Sequence, residues 1–318
     1  MRSRELSVVV VLAVLCLTMA LTEQRSLFFG PRNLTNIVQQ VALLSLFAIG
    51  ETIVIITSGI DLSLGSLIAF TGMIAAYFVA KLGVPFQPAP AALVAILITL
   101  VIALAIGLLH GTLIHRLKLP PFVVTLTALL VLRSQSLVVN QQLPISLNSQ
   151  PFLTAMSKGA PLWILLIVVA VVAHILLSHT RIGRYLYALG GNEQATRLSG
   201  VNIFKVKLFA YGASGLLGGL AGILWAGYGG QGNPQIGVGY ELDAVASAVV
   251  GGASLTGGRG SVPGTLLGAT LLITILSAIN LINLKGFSPD IWRGTVVGGV
   301  LLFAVLVTAF QQRGRSGD

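Results

Sequence analysis

Long apolar runs separated by short polar segments repeat along the whole chain. The first run extends from Leu6 to Leu21, and the others lie at 36–57, 62–81, 89–110, 121–140, 160–178, 206–227, 241–256, 263–283 and 290–310. A membrane-spanning α-helix needs about 20 predominantly apolar residues, whereas β-barrel strands alternate apolar and polar positions. The pattern therefore predicts an all-α polytopic membrane protein with about ten transmembrane helices in one domain, residues 1–318.

The composition excludes an ordinary water-soluble domain. Of the 318 residues, 55% are hydrophobic and only 9% are charged, whereas soluble domains carry charges at about a quarter of their positions. Most of the surface must therefore face the lipid bilayer. The net charge of +10 does not indicate a nucleic-acid partner, because the basic residues lie at the ends of apolar runs and form no concentrated patch.

The first run follows Arg2 and Arg4, as in a cleaved signal peptide or a retained membrane-insertion signal. Retention is favoured because Leu15, before Cys16, is too large for a lipoprotein-type cleavage site and many further spans follow.

The distribution of Lys and Arg predicts the orientation in the membrane. An even number of spans puts both termini on one side, and cytoplasmic loops are enriched in basic residues. With cytoplasmic termini, the cytoplasmic segments contain twelve of the nineteen basic residues and the opposite side contains five, while Arg133 and Arg293 lie within or at the edge of spans. We therefore predict that both termini are cytoplasmic.

Three stretches depart from the pattern of spans and short loops. Residues 180–207 form the longest polar cytoplasmic segment. Residues 227–240 are rich in Gly and Pro and lead into Glu241 and Asp243, which are predicted at an extracytoplasmic helix start because a helix N-terminus favours acidic side chains. The glycine-rich residues 251–264 predict a broken or re-entrant turn, which is tolerated at membrane depth only where protein or water lines it.

The sequence does not contain the usual signatures of an enzyme. None of the six lysines follows a glycine, so the chain lacks the Gly-Lys pair of an ATP-binding P-loop. The histidines form two pairs, each five residues apart, whereas ligands on one helical face would be three or four apart. We therefore predict a chain without catalytic residues, a metal site or a cofactor of its own.

A short isolated helix is predicted within the polar cytoplasmic segment. Asn192 is suited to the N-cap, Glu193 to the first turn, Arg197 to the last turn, and Gly200 to a left-handed helix end. A helix of about seven residues is too short to be stable alone in water. It rests either on its own bundle or, with Ala195 and Leu198 facing outward, on another protein. The residues alone leave both possibilities open.

The longer sequence around this helix, RIGRYLYALGGNEQATRLSGVNIFKVKLFAYGASGLLGGLAGIL, is followed by GYELDAVASAVVGGASLTGGRGSVPGTLLGA and preceded by TSGIDLSLGS. Together these motifs resemble the permease subunits of ribose-type ABC sugar importers, from Asn33 to about Leu306. The resemblance implies an inner-membrane protein of bacteria. It also implies a coupling helix that docks into an ATPase and comprises Gly191, Asn192, Glu193, Ala195, Arg197, Leu198, Ser199 and Gly200.

The same resemblance implies three protein partners. These are a second permease subunit, identical or paralogous, a separate ATP-binding cassette subunit that binds ATP and Mg, and an extracytoplasmic sugar-binding protein. Three positions depart from the family's usual residues. Glu51 stands where Met or Gln is common, Ser58 replaces a glycine before Gly59, and Ser134 replaces the glycine that usually follows an arginine at the position of Arg133. They leave the identity of the sugar open.

Charged residues within spans are candidates for the translocation pathway, because such residues usually face a cavity or a partner. Glu51 and Arg133 either form a buried pair or line the pathway separately, and Asp61 either lines it or caps the helix that follows. The remaining candidates are polar residues that could form transient hydrogen bonds with a sugar, namely Ser63, Ser66, Thr125, Thr127 and Asn140.

Two functions fit these features. The favoured one is a permease subunit that translocates a small neutral sugar, of pentose, hexose or deoxyhexose type, by alternating access driven by a partner ATPase. The alternative is an ion-coupled secondary transporter of a small polar solute, which would need inverted repeats and ionisable groups at the midplane. Only a faint similarity links SGIDLSLGS to GGASLTGGRGS.

Overall fold

The computed structural model describes residues 3–82, 88–147, 151–282, 292–302 and 306. These residues are almost entirely helical, and 292–302 form the last described helix. The preceding helices are α1 (Ser3–Ala20), α2 (Arg25–Phe28), α3 (Pro31–Ile56), α4 (Leu64–Leu82), α5 (Pro88–Arg116), α6 (Pro121–Val138), α7 (Pro151–Met156), α8 (Gly159–His179), α9 (Arg181–Gly191), α10 (Glu193–Leu198), α11 (Ile203–Gly229), α12 (Tyr240–Val250) and α13 (Val262–Ile282). Two short strands, β1 (Ile145–Ser146) and β2 (Gln231–Gly232), pair antiparallel.

Six helices in the described part of the chain are long and apolar enough to cross a membrane: α3, α5, α6, α8, α11 and α13. Two shorter apolar stretches, Glu5–Ala20 in α1 and Leu64–Ala80 in α4, coincide with two further predicted spans. The predicted all-α, multi-pass class is therefore confirmed. The number of ten spans and the cytoplasmic location of the termini stay predictions.

The predicted span at 241–256 is shorter in the structure. Helix α12 has 11 residues, or about 16 Å, which is about half the hydrocarbon thickness of a bilayer. The chain leaves the helix after Val250 and remains non-helical until α13, with Gly252 at a positive φ of 99°. This segment, residues 251–261, is called the glycine loop below, and it lies in the region where a break was expected. The predicted span at 290–310 lies only partly within the described residues, and both terminal residues lie outside them.

Helix α11 lies at the centre of the bundle, against α3, α4 and α5. Glycines permit this close packing: a Cβ atom at Gly107 of α5 would overlap the carbonyl of Tyr211, and one at Gly215 of α11 would overlap the carbonyl of Ala103. Small residues at helix contacts are the usual way in which membrane helices bring their backbones together. The crossing of α5 and α11 thus fixes the frame that positions the polar residues described next.

We expect cysteines introduced at Asn192 and Gln231, in a chain with Cys16→Ala, to be labelled from opposite sides of the membrane. Both positions are exposed, and α11, with 27 residues, lies between them and is about 40 Å long. Labelling with a membrane-impermeant maleimide in intact and permeabilised cells measures the side of each. If both are labelled in intact cells, α11 does not cross and the proposed orientation is wrong.

Candidate functional site

The predicted short helix is present as α10, between Glu193 and Leu198. The Asn192 side chain accepts a hydrogen bond from the backbone N–H of Ala195 at 2.9 Å, and Gly200 takes a left-handed φ of 80° after the helix end. Local sequence signals thus determine both ends. Thr196 is buried, whereas Ala195 and Leu198 are exposed, and Leu198 is 90% exposed. The helix therefore presents an apolar side chain that nothing in the described chain covers.

Glu193 holds α10 against the start of α11. Its carboxylate lies 3.1 Å from Arg197, one turn along α10, and 3.0 Å from the ammonium of Lys207 in α11. The Glu193 side chain is 40% exposed and bridges two helices. Burial alone would raise the pKa of Glu193, but the hydrogen bond and charge of Lys207, together with the charge of Arg197, hold this pKa below its ordinary value.

We expect Glu193→Gln to lower the melting temperature of the purified protein by no more than a few degrees, because partly exposed ion pairs contribute about 1 kcal/mol or less. Since the pKa is lowered in the folded state, the stabilisation is present above the ordinary carboxyl range and is lost as the pH falls through the lower folded pKa. The difference between wild type and variant should therefore be constant between about pH 6 and 8 and vanish in stronger acid. A difference that grows from pH 8 to 6 would contradict this assignment.

Helix α9 connects α10 to the membrane helices. Thr180 caps its N-terminus by accepting a hydrogen bond from the N–H of Gly183 at 3.2 Å. Leu186 and Leu189 are buried in an apolar cluster with residues of α3, α8 and α11. Asn192 follows α9 directly and is also the N-cap of α10. The two short helices therefore form one continuous segment, which is called the coupling segment below.

A groove of about 780 Å³ opens beside the coupling segment. The loop between α5 and α6 forms one side, and α10 and the start of α11 form the other. Its charged and titratable lining consists of one acidic residue, Glu193, against His115, Lys118, Arg197 and Lys207. The groove is therefore basic, and a protein surface that enters it would be complementary if it carried acidic side chains.

Asp61 is the centre of a buried polar cluster within the bundle. Its Oδ1 atom accepts hydrogen bonds from the Ser63 N–H at 3.1 Å and the Ser63 hydroxyl at 2.6 Å, and its Oδ2 accepts one from the Ser214 hydroxyl of α11 at 2.8 Å. Glu51 of α3 accepts the N–H of Asp61, with both carboxylate oxygens at 3.2 Å. Glu51, Asp61, Ser63 and Ser214 are all buried. Asp61 thus orders the turn before α4 and connects that turn to α11, while its N–H partner, Ser63, lies before the first residue of α4; a role in the pathway stays a prediction.

Arg133 and Glu51 do not pair with each other. The Arg133 guanidinium donates to the carbonyls of Pro234 at 3.1 Å and Ile236 at 2.7 Å. Arg133 therefore holds the Gly- and Pro-rich loop before α12, while Glu51 contacts the turn after α3. Of the two alternatives given for these residues, the buried pair is wrong, because their side chains contact different loops.

The remaining pathway candidates do not form a single group. The Ser66 hydroxyl donates to the Ser63 carbonyl, and the Thr125 hydroxyl reaches the Ile60 carbonyl at 3.1 Å, so both adjoin the turn that contains Asp61. Thr127 is exposed on α6 and bonds its own helix. Asn140 is half-buried beyond the end of α6 and donates to the Leu143 carbonyl. The candidates thus divide into one buried group and two separate outer positions.

Glu241 and Asp243 lie in the first turn of α12. Asp243 is buried and forms an ion pair with Arg293 of the helix 292–302. The Arg293 guanidinium lies 4.6 Å from the ring centroid of Tyr240, which in turn stacks with Phe47 at 6.2 Å. Phe47, Tyr240, Asp243 and Arg293 help to line a cavity of about 30 Å³, roughly the space of one water molecule.

Sequence reasoning missed three parts of this arrangement: helix α9, the partnership of Ser214 with Asp61, and the contacts of Ser58 described below. The spacing of Ile182, Leu186 and Leu189 behind Thr180 is a sequence signal for α9. The sequence held no comparable signal for Ser214, because 153 residues separate it from Asp61.

Comparison with known proteins gives the family. Residues 33–306 match the family described as branched-chain amino acid transport system / permease component. The chain belongs to this permease family.

Several curated relatives match this permease along most of their length. It is 40% identical to the ribose import permease protein of Escherichia coli strain K12 over 296 residues, which cover 88% of this chain and 86% of the relative. It is 36% identical to the ribose import permease protein of Bacillus subtilis strain 168, covering 88% and 85%. Identity to the xylose transport system permease protein of Haemophilus influenzae is 30%, covering 88% and 89%. No solved structure matches the permease.

These matches confirm the resemblance to permeases of the ribose importer type. Together with the apolar helices they identify a multi-pass protein of the bacterial inner membrane. The family description names amino acids, whereas the relatives named above carry the names of sugars.

Proposed function

We propose that this chain is the transmembrane permease subunit of an ATP-driven importer for a small neutral sugar of pentose, hexose or deoxyhexose type. The observation that carries the proposal is α10, a capped helix held to the bundle by Glu193 and Lys207 while Ala195 and Leu198 face outward. A helix of six residues does not persist alone in water. The bracing to α11 and the cap at Asn192 therefore present a fixed apolar surface, as docking into a partner requires.

The partner that fits this surface is the separate ATP-binding subunit, which would bind ATP and Mg and hydrolyse the nucleotide. Leu198 would enter a pocket of that subunit, and the basic groove beside α10 would receive acidic side chains from it. The coupling segment would then lie on the cytoplasmic side. The complete importer also needs a second permease subunit, identical or paralogous, and an extracytoplasmic sugar-binding protein that delivers the sugar.

Alternating access follows from the way the coupling segment joins the bundle. A displacement of α10 by the ATPase moves α9, because Asn192 ends one helix and begins the other. Helix α9 packs on α3, α8 and α11, so these helices tilt with it. A pathway with few charges suits a neutral sugar. Weak hydrogen bonds along this pathway would let the sugar dissociate readily.

One observation favours the ion-coupled alternative. Glu51, Asp61 and His110 are buried ionisable residues of the described membrane region, and an ion-coupled transporter places such residues at its binding site. However, Asp61 already accepts three hydrogen bonds and Glu51 accepts the N–H of Asp61. These contacts give both carboxylates a structural role, which weakens this alternative.

The test is sugar uptake in a host that lacks its own pentose and deoxyhexose importers. The permease is expressed with the ATPase and the binding protein, and uptake of labelled ribose, xylose and fucose is measured. We expect uptake of at least one sugar to require all three proteins, to stop when the ATPase is catalytically inactive, and to continue when a protonophore is added while ATP is maintained. Uptake by the permease alone that stops with the protonophore would establish the ion-coupled alternative.

A further inference from the structure

The turn after α3 has an unusual backbone at Ser58. This residue has a positive φ of 64°, a left-handed conformation that glycine adopts freely and that other residues seldom adopt. Ser58 lies two residues after the end of α3 at Ile56 and three residues before Asp61. Serine carries a hydroxyl that glycine lacks, so the contacts of this hydroxyl distinguish Ser58 from the glycine that the resemblance leads one to expect here.

The Ser58 hydroxyl lies between two carbonyl groups from distant parts of the chain. It is 3.1 Å from the carbonyl oxygen of Gly190, at the end of α9, and 2.9 Å from the carbonyl oxygen of Thr256, in the glycine loop. A hydroxyl has one proton to donate. The hydrogen bond is therefore shared between the two carbonyls or alternates between them.

The backbone around Ser58 brings the same three segments together. The Gly258 N–H donates to the Ile56 carbonyl at 2.9 Å, and the Tyr187 hydroxyl of α9 donates to the Gly260 carbonyl at 2.9 Å. Gly190 lies so close to the Ile56 carbonyl that a Cβ atom would overlap it. The end of α3, the end of α9 and the glycine loop thus meet at one point, which is called the junction below.

We propose that Ser58 is a positioning residue that transmits movement of the coupling segment to the membrane helices. This inference rests on the proposed function, because it assumes that an ATPase displaces α10 and α9. When α9 moves, the Gly190 carbonyl moves with it, and the Ser58 hydroxyl transfers its hydrogen bond between Gly190 and Thr256. The turn that contains Asp61 and the glycine loop before α13 then respond together.

The alternative to this role is a purely local one, in which Ser58 only stabilises the turn. The two roles differ in what they change. Loss of a local contact lowers the amount of folded complex, so sugar uptake and ATP hydrolysis fall together. Loss of a transmitting contact leaves the complex assembled, but less sugar is imported for each ATP hydrolysed.

The experiment compares Ser58→Ala and Ser58→Gly with Thr57→Val, a matched control. The Thr57 hydroxyl donates to the Val54 carbonyl of its own helix, so its removal leaves the junction intact. Ser58→Gly removes the hydroxyl and also relieves the backbone, which keeps the test valid if Ser58→Ala folds poorly. The complete importer is purified for each variant, and bound ATPase, ATP hydrolysis and sugar imported per ATP are measured in proteoliposomes.

We expect both Ser58 variants to bind the ATPase as wild type does and to import about threefold to tenfold less sugar per ATP, the range that one neutral hydrogen bond contributes. Thr57→Val should retain the wild-type ratio. The inference is overturned if either folded Ser58 variant has the wild-type ratio, or if Thr57→Val loses as much. If the wild-type chain itself binds no ATPase, the proposed function fails first, so the two failures are distinguishable.

Discussion

Replacing Leu198 with aspartate is expected to reduce ATP-dependent sugar uptake at least about tenfold, because a buried unpaired charge costs several kcal/mol and each 1.4 kcal/mol changes an equilibrium tenfold. Leu198 is 90% exposed in the single chain, so the substitution leaves the permease folded and inserted. Only the contact with the ATPase would bury the new charge. Ala195→Arg, one turn earlier on the same helix, should have the same effect.

The measurement pairs copurification of the ATPase with sugar uptake in cells. Leu198→Met is the matched control, because it keeps an apolar side chain at the same exposed position and adds no charge. Uptake and ATPase binding should be close to normal for Leu198→Met and lost for Leu198→Asp. If both charge variants of α10 retain full uptake and ATPase binding, α10 is only a capped surface helix.

Replacing Asp61 with alanine is expected to destabilise the permease by about 3 kcal/mol or more, because buried donors that lose their acceptor each cost about 1–3 kcal/mol. Its carboxylate accepts hydrogen bonds from the N–H and hydroxyl of Ser63 and from the hydroxyl of Ser214. Without it the turn before α4 is no longer joined to α11. Uptake should be lost, and the melting temperature of the purified protein should fall.

Glu51→Gln is the comparison for this effect. Among the described residues, the Glu51 side chain accepts the N–H of Asp61, and a glutamine keeps one acceptor oxygen at the same position. We expect a cost below about 1 kcal/mol and uptake close to that of wild type. If Glu51→Gln destabilises as much as Asp61→Ala, the carboxyl group of Glu51 has a role that its hydrogen bonds do not reveal.

The coupling segment illustrates what the sequence predicts well. The helix predicted at Glu193–Ser199 ends one residue earlier in the structure, at Leu198. The prediction is this close because the limits of a short helix depend on groups within four residues of one another. The Asn192 cap, the Glu193–Arg197 spacing and the left-handed Gly200 are all visible in a short window of sequence. Lys207, fourteen residues from Glu193, depends on how α11 packs and was not foreseen as its partner.

Helix α12 illustrates what apolar composition does not reveal. The run at 241–256 has the apolar composition of a membrane-spanning helix. Hydrophobicity indicates that a segment is buried, but it does not distinguish burial in lipid from burial in protein. Asp243, Ser247 and most of the apolar residues of α12 are buried inside the bundle. The helix ends after 11 residues, and the glycine loop that follows contacts α9 and the end of α3.

The polar cluster and the junction could not be predicted because their contacts are long-range. Ser214 meets Asp61, and Ser58 meets Gly190 and Thr256, only after α3, α9 and α11 have packed together. The glycines that allow this packing were recognisable as small residues at regular spacing, but the side chains that they bring together were not.

The most direct test of the central claim is sugar accumulation in proteoliposomes that contain the purified permease, with no ion gradient across the membrane. ATP and Mg are supplied on the side of the ATPase, and the sugar-binding protein with labelled sugar on the other. We expect accumulation that requires ATP, the ATPase and an unaltered Leu198. A parallel preparation of the permease alone is given a proton or sodium gradient and no ATP; accumulation there that is unaffected by Leu198→Asp, with none driven by ATP in the first preparation, would contradict the claim.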